Sequence, residues 1–189
     1  MEIRQIFSIL ALTFGIGCFI PYITAIIRKK TKPMKATWLI WASLDTITIL
    51  GMNIENSING QILSSVVGAW TVFFLSLRYG VLGWTWLDRI CLASVGLSIL
   101  LWWWFNSPLL GIIICLLANC IGSIPTLHSA WKDARRENKL GWVTGTIASL
   151  CALASVSNWT LAHYAQPISF LVIQIAVLYL LFIRAAIPK

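Results

Sequence analysis

Charge is scarce in this chain. Only 11% of its 189 residues are Asp, Glu, Lys or Arg, and six of those are acidic. Soluble domains carry about 25% charged residues, so 59% apolar residues and a mean hydropathy of +0.84 exclude a water-soluble core and place the chain in a bilayer. Cysteine pairs are missing as well. Cys18, Cys91, Cys115, Cys120 and Cys151 are odd in number, with no C-x-x-C spacing, and read as small apolar residues. The two histidines, His128 and His163, stand far apart with no acid at ligand spacing, so no metal site is expected. No Ser/His/Asp or Cys/His constellation is present, and Gly15/Gly17 and Gly141/Gly145 form no phosphate loop. An enzyme is therefore disfavoured and no cofactor is implied. No lysine falls inside an apolar run, which argues against a retinal Schiff base.

What the chain does have is long apolar runs. Seven spans can be drawn: Ile6 to Ile27, Ala36 to Met52, Gln61 to Tyr79, Ile90 to Phe105, Leu109 to Trp131, Gly141 to Ser157 and Gln166 to Ile187. Most suit the about 17–25 residues that cross a bilayer. The fourth is the shortest, and only Asn106, Ser107 and Pro108 separate it from the fifth, which requires a tight hairpin. The first span is too long for a signal-peptide core, and its charges follow it; it is expected to stay in the mature protein.

Residues 20 to 38 and 124 to 142 superpose without a gap at an offset of 104. Ile20, Pro21, Lys35 and Trp38 recur as Ile124, Pro125, Lys139 and Trp142. Hydrophobic repeats broken at corresponding prolines are common in carriers, whose sites lie between the repeats. Span four has no partner at this offset. The reading is an all-α membrane protein of seven transmembrane helices, built as two parallel three-helix bundles joined by a linker helix. Its divisions are 1–80, the first repeat; 81–107, linker helix four with its loops; and 108–189, the second repeat.

Thirteen of the fourteen basic residues fall in loops that this topology puts on one side; Arg4 alone lies opposite. The positive-inside rule then sets the N-terminus outside and the C-terminus in the cytoplasm. The net charge of +8 is read as topology, with anionic lipid contact in addition and no nucleic-acid partner. Of eleven tryptophans, Trp84, Trp86, Trp102, Trp103, Trp104 and Trp159 fit an interfacial belt. Trp38, Trp41, Trp70, Trp131 and Trp142 lie within or at the ends of repeat helices, where a ring can pack, anchor or stack on a ligand.

Asp45 is the only carboxylate inside these spans. A charge at mid-membrane costs about 2.5–3.5 kcal/mol, which makes it a functional candidate by default. Helical spacing puts Trp38, Trp41, Asp45, Thr48 and Met52 on one stripe, and pseudosymmetry opposes it to the small stripe Trp142, Gly145, Ser149 and Ala152, leaving space for a ligand beside Asp45. Asp45 can serve as a proton-coupling group, or be a structural residue hydrogen-bonded to Asn119, Gln174 or a backbone group. Trp38, Trp41, Trp70, Asn119, Trp142 and Gln174 are the substrate-binding candidates. Pro21 and Pro125 free backbone carbonyls near the cytoplasmic loops and are the candidates for hinges of an inner gate, or are fixed kinks.

With 3+1+3 helices, an outside N-terminus and a proline late in the first helix of each repeat, the chain resembles the PQ-loop and SWEET (MtN3-like) transporter superfamily over nearly its whole length. It looks like a divergent member, because the Pro-Gln motif reads Pro21-Tyr22 and Pro125-Thr126. The resemblance implies alternating access by rocking of the triplets, with the prolines as pivots. Sugar-carrying members hold substrate with an asparagine of each third helix and nearby tryptophans; here span seven offers Gln174 and span three no asparagine. Proton-coupled amino-acid carriers of the superfamily use intramembrane aspartates, which resembles Asp45. The expectation is a carrier of a small polar or amphipathic solute such as a sugar, amino acid or vitamin, working as a uniporter or coupled to protons. A receptor, sorting protein or scaffold on the same fold is the alternative. Expected partners are the solute and membrane lipids, with a homo-oligomer left open.

Overall fold

The computed structural model describes residues 2–30, 32–83, 86–134 and 137–184. Trp84, Arg135, Arg136, Lys189 and the end of span seven at Ile187 lie outside the described residues. The described chain is helical: α1 (Ile3–Ile27), α2 (Lys35–Ile54), α3 (Gly60–Tyr79), α4 (Trp86–Phe105), α5 (Pro108–Gly122), α6 (Ile124–Lys132), α7 (Lys139–Ala154) and α8 (Leu161–Leu178), continued by a π-helical turn at Tyr179–Ile183. Five stretches are long and apolar enough to cross a membrane: Ile3–Ile27, Gly60–Tyr79, Asp88–Phe105, Pro108–Lys132 and Leu161–Ile183. This is a helical membrane protein. The other two of the seven spans are weaker for identifiable reasons: α2 carries Asp45 and several hydroxyl residues, and α7 has only 16 residues.

Three spans need correcting. The fourth is not the shortest, because Trp86 to Arg89 join α4 and extend it to 20 residues. Asp88 sits in its first turn, where a carboxylate meets the positive end of the helix dipole, and it accepts a 2.8 Å hydrogen bond from Thr37 Oγ1 of α2. Asp45 is therefore not the sole carboxylate in an apolar helix. The seventh starts at Leu161, not Gln166, so Gln166 and Pro167 are inside a helix. The fifth is broken at Ser123, between α5 and α6. Pro125 supplies no N–H to continue the ladder across that point. Pro21, at the matching repeat position, lies within α1 without interrupting it.

The hairpin between α4 and α5 is as tight as the sequence requires. Asn106 takes the left-handed region at φ 46°, which asparagine tolerates, Ser107 caps α5, and Pro108 occupies its first turn.

Helix α3 packs against both α1 and α2, and α8 against α7 and α5. The most extensive contact is α1 with α7, followed equally by α1 with α3 and α4 with α5; α2 also lies on α5. One core, of Ile40, Leu44, Ile47, Cys91, Cys115 and Ala118, joins α2, α4 and α5. A second joins Met52 and Ile62 to Ile112, Leu116 and Ala165, and a third gathers Ala130, Val177, Leu180 and Leu181 around α6 and the π turn. Trp86, Trp103, Trp104 and Trp159 are exposed, as an interfacial belt requires, but Trp102 turns inward onto the first core.

Candidate functional site

Two constellations of buried polar groups involve the candidate residues. In the first, Asp45 of α2 is 7% exposed and accepts a 3.2 Å hydrogen bond from Asn119 Nδ2 of α5. One turn away, the buried Thr48 returns its hydroxyl to the Leu44 carbonyl, while Ser98 Oγ lies 3.2 Å from Cys115 Sγ. The carboxylate is thus held in the contact between α2 and α5. Its expected opposite stripe lies elsewhere: Gly145 sits beneath the Gln174 amide, and Ser149 bonds to α3 and α8. The two stripes do not oppose each other, because α2 packs on α5 while α7 packs on α1 and α8.

The second constellation is a hydrogen-bonded ladder. Asn59 Nδ2 donates to Gln166 Oε1 (2.8 Å), Gln166 Nε2 to Gln61 Oε1 (3.1 Å), Gln61 Nε2 to Ser149 Oγ (2.5 Å), and Ser149 Oγ to Gln174 Oε1 (2.5 Å). Each member donates to the next, so five side chains from α3, α7, α8 and the loop before α3 form one directed chain. Asn59 has a further duty as the cap of α3: its Oδ1 accepts from the amides of Gln61 and Ile62. Gln166 is fully buried and Gln61 is 3% exposed. Buried amides are tolerated only when paired, and this ladder pairs them across α3, α7 and α8. At its Asn59 end is a small polar pocket of about 40 Å3, lined by residues of the two loops 56–59 and 155–157 and by His163.

The aromatic candidates separate. Trp38 and Trp41 meet edge to face at 5.3 Å, and Trp38 also packs on Tyr22 (5.3 Å) and Phe19 (6.5 Å) of α1. Trp142 lies at the same end of the bundle, donating Nε1 to Glu137 Oε2 at 3.1 Å. Burial pushes the Glu137 carboxyl above its ordinary pKa, and the Trp142 indole opposes that shift. Trp70 stands apart: its Nε1 donates to Thr46 Oγ1 (2.9 Å), and its ring stacks on Phe74, which is 60% exposed.

Asn119 and Gln174 therefore each join a constellation, Trp38 and Trp41 form an aromatic cluster, and Trp70 belongs to neither. Sequence reasoning missed Asn59, Gln61 and Gln166. A signal existed: Gln61 and Gln166 head the third and seventh apolar spans at an offset of 105, one residue from the repeat. The chain matches no protein-family model, no curated protein and no solved structure.

Proposed function

We propose that this chain is a membrane carrier that moves a small polar or amphipathic solute by alternating access between two three-helix units, α1 to α3 and α5 to α8, joined by α4. The N-terminus is outside and the C-terminus cytoplasmic, the orientation that the basic loops favour. The observation that carries the reading is the pairing of helices. Within each unit the third span packs on the other two, and between units α1 lies on α7 as α2 lies on α5, the exchange a pseudo-twofold along the membrane normal would produce. Buried polar side chains concentrate along these contacts, where hydrocarbon would otherwise make them costly.

In this reading the ladder from Asn59 to Gln174 closes the outer mouth, and the cluster of Tyr22, Trp38 and Trp41, with Trp142 at the same end of the bundle, narrows the inner one. The break before Pro125, with Pro21 in α1, gives the inner ends of the two units room to move. Asp45 is the proton-coupling group, releasing Asn119 as it takes up a proton. The likeness to PQ-loop and SWEET carriers agrees with this arrangement. A second reading, a receptor or scaffold on the same helices, is favoured by the Asp45–Asn119 hydrogen bond itself, since a fixed pair can serve packing alone.

Uptake of labelled sugars, amino acids and vitamins by proteoliposomes, with and without a pH gradient, tests the choice. One solute should follow the gradient in the wild type, and in Asp45→Asn its uptake should fall to the rate without a gradient. Gradient-independent flux in both would leave Asp45 structural; no flux of any solute would favour the receptor or scaffold.

A further inference from the structure

The groove beside α6 has a composition that the carrier reading does not use. Ile124, Leu127, His128 and Trp131 form one wall of a shallow groove, open to the outside, and Leu180 of the π turn the other. Two backbone irregularities converge here: the break at Ser123 that separates α6 from α5, and the π-helical turn at Tyr179–Ile183. π turns inside α-helices are frequent at functional sites. Above the groove, the Arg184 guanidinium lies 3.1 Å from the centre of the Trp131 ring, and its Nη1 donates to the Trp131 carbonyl oxygen. Arginine has five N–H donors, and among the described residues only the Trp131 carbonyl accepts from this one. Lys132 ends α6 next to Trp131 and is followed by Asp133, and none of the described residues lining the groove is a carboxylate.

The first repeat has none of this. At the offset of 104, Arg184, Trp131 and His128 correspond to Gly80, Ile27 and Thr24. There the backbone seals the corner instead: the Val81 amide donates to the Pro33 carbonyl (3.0 Å) and the Lys35 amide to the Val81 carbonyl (3.2 Å). Apolar walls under a held cation, on an outward surface where Trp131, Tyr179 and Phe182 are about half exposed, are what one lipid molecule requires. The acyl chain lies on Leu127 and Leu180, and the phosphate meets Arg184, Lys132 and His128.

We propose that this groove is a binding site for one anionic phospholipid of the surrounding bilayer. The inference stands independently of transport.

The test uses the full-length protein purified in detergent, with phosphatidylglycerol, phosphatidylcholine or inorganic phosphate added, and reads thermal stability and the lipid retained in native mass spectrometry. One phosphatidylglycerol should be retained and should raise the melting temperature, whereas phosphatidylcholine and phosphate should do neither. In Arg184→Gln retention should weaken about fivefold, the effect of removing one cation near a phosphate; Arg78→Gln, at the end of α3, should retain lipid as the wild type does. Leu127→Trp fills the groove while keeping every charge, so it should also lose the lipid, which covers the case in which Arg184→Gln fails to fold. Equal retention of the two lipids, a shift reproduced by phosphate alone, loss in Arg78→Gln, or undiminished retention in Arg184→Gln or Leu127→Trp would each overturn the site.

Discussion

Replacing Gln166 with leucine is expected to destabilise the protein by roughly 2–6 kcal/mol, the cost of leaving two buried polar groups unpaired at about 1–3 kcal/mol each. The two groups are Asn59 Nδ2 and Gln61 Oε1, which meet the Gln166 carbonyl and amide respectively. Leucine is close in size, so the loss will come from orphaned polar atoms and not from a cavity. The double variant Gln61→Leu/Gln166→Leu separates the two: it removes both Gln61 Oε1 and Gln166 Nε2, each an orphan in one single variant, so its loss should be less than the sum of the single losses. Thermal or denaturant unfolding of the purified protein reads all three. A loss below about 0.5 kcal/mol in Gln166→Leu, within the range of ordinary surface substitutions, would mean that water already serves the ladder.

Gly60→Ala should be the most damaging small substitution in the chain. A methyl group on Gly60 would collide with the Ser8 carbonyl oxygen and come within 2.7 Å of the Leu12 amide nitrogen, both backbone atoms of α1 that no rotamer can move. The same glycine donates its amide to Ser8 Oγ at 3.0 Å, so retreat of α3 from α1 would break that bond as well. Overpacking of this kind costs about 1–3 kcal/mol and sometimes more. Gly96→Ala is the control. A methyl group there meets open space on an exposed face of α4, and the better helix propensity of alanine should leave stability unchanged or raise it by up to about 1 kcal/mol. Equal melting temperatures for the two variants would contradict the close approach of α1 and α3.

These two residues illustrate what the sequence could and could not reveal. Apolar runs, a proline at the broken span and an Asn-Ser-Pro turn are local chemistry, so the helical membrane class, the break near Pro125 and the α4–α5 hairpin were legible. Helix ends were less so: Trp86 to Arg89 read as a loop by hydropathy, yet Asp88 gains both a helix dipole and the Thr37 hydroxyl once α2 is beside it. Pro21 and Pro125 occupy matching repeat positions but differ in outcome, because α1 is held along its length by α3 and α7, which local sequence does not report.

The candidate residues show the same division. Asp45 stands out because a carboxylate in hydrocarbon is costly, and of its expected partners, Asn119, Gln174 or a backbone group, Asn119 is the one it meets. By hydropathy Gln61 and Gln166 are only the starts of apolar spans. Their significance comes from pairing with each other across 105 positions, and neither residue alone carries that information. Trp70 shows the converse: an aromatic ring in a repeat helix looks like a ligand platform until Thr46 and Phe74 are seen to occupy it.

Alternating access makes a claim about motion, and distances across the two mouths test it most directly. Spin labels on Glu55 and Ser157 span the mouth beside the Asn59 pocket, and labels on Lys30 and Asn138 span the opposite one; each pair would be measured by pulsed electron resonance in nanodiscs after replacement of the five native cysteines. The account predicts that Gln61→Ala, which opens the ladder, lengthens the first distance and shortens the second. One fixed distance at each mouth, unchanged by Gln61→Ala, would contradict it and leave the fold a static scaffold.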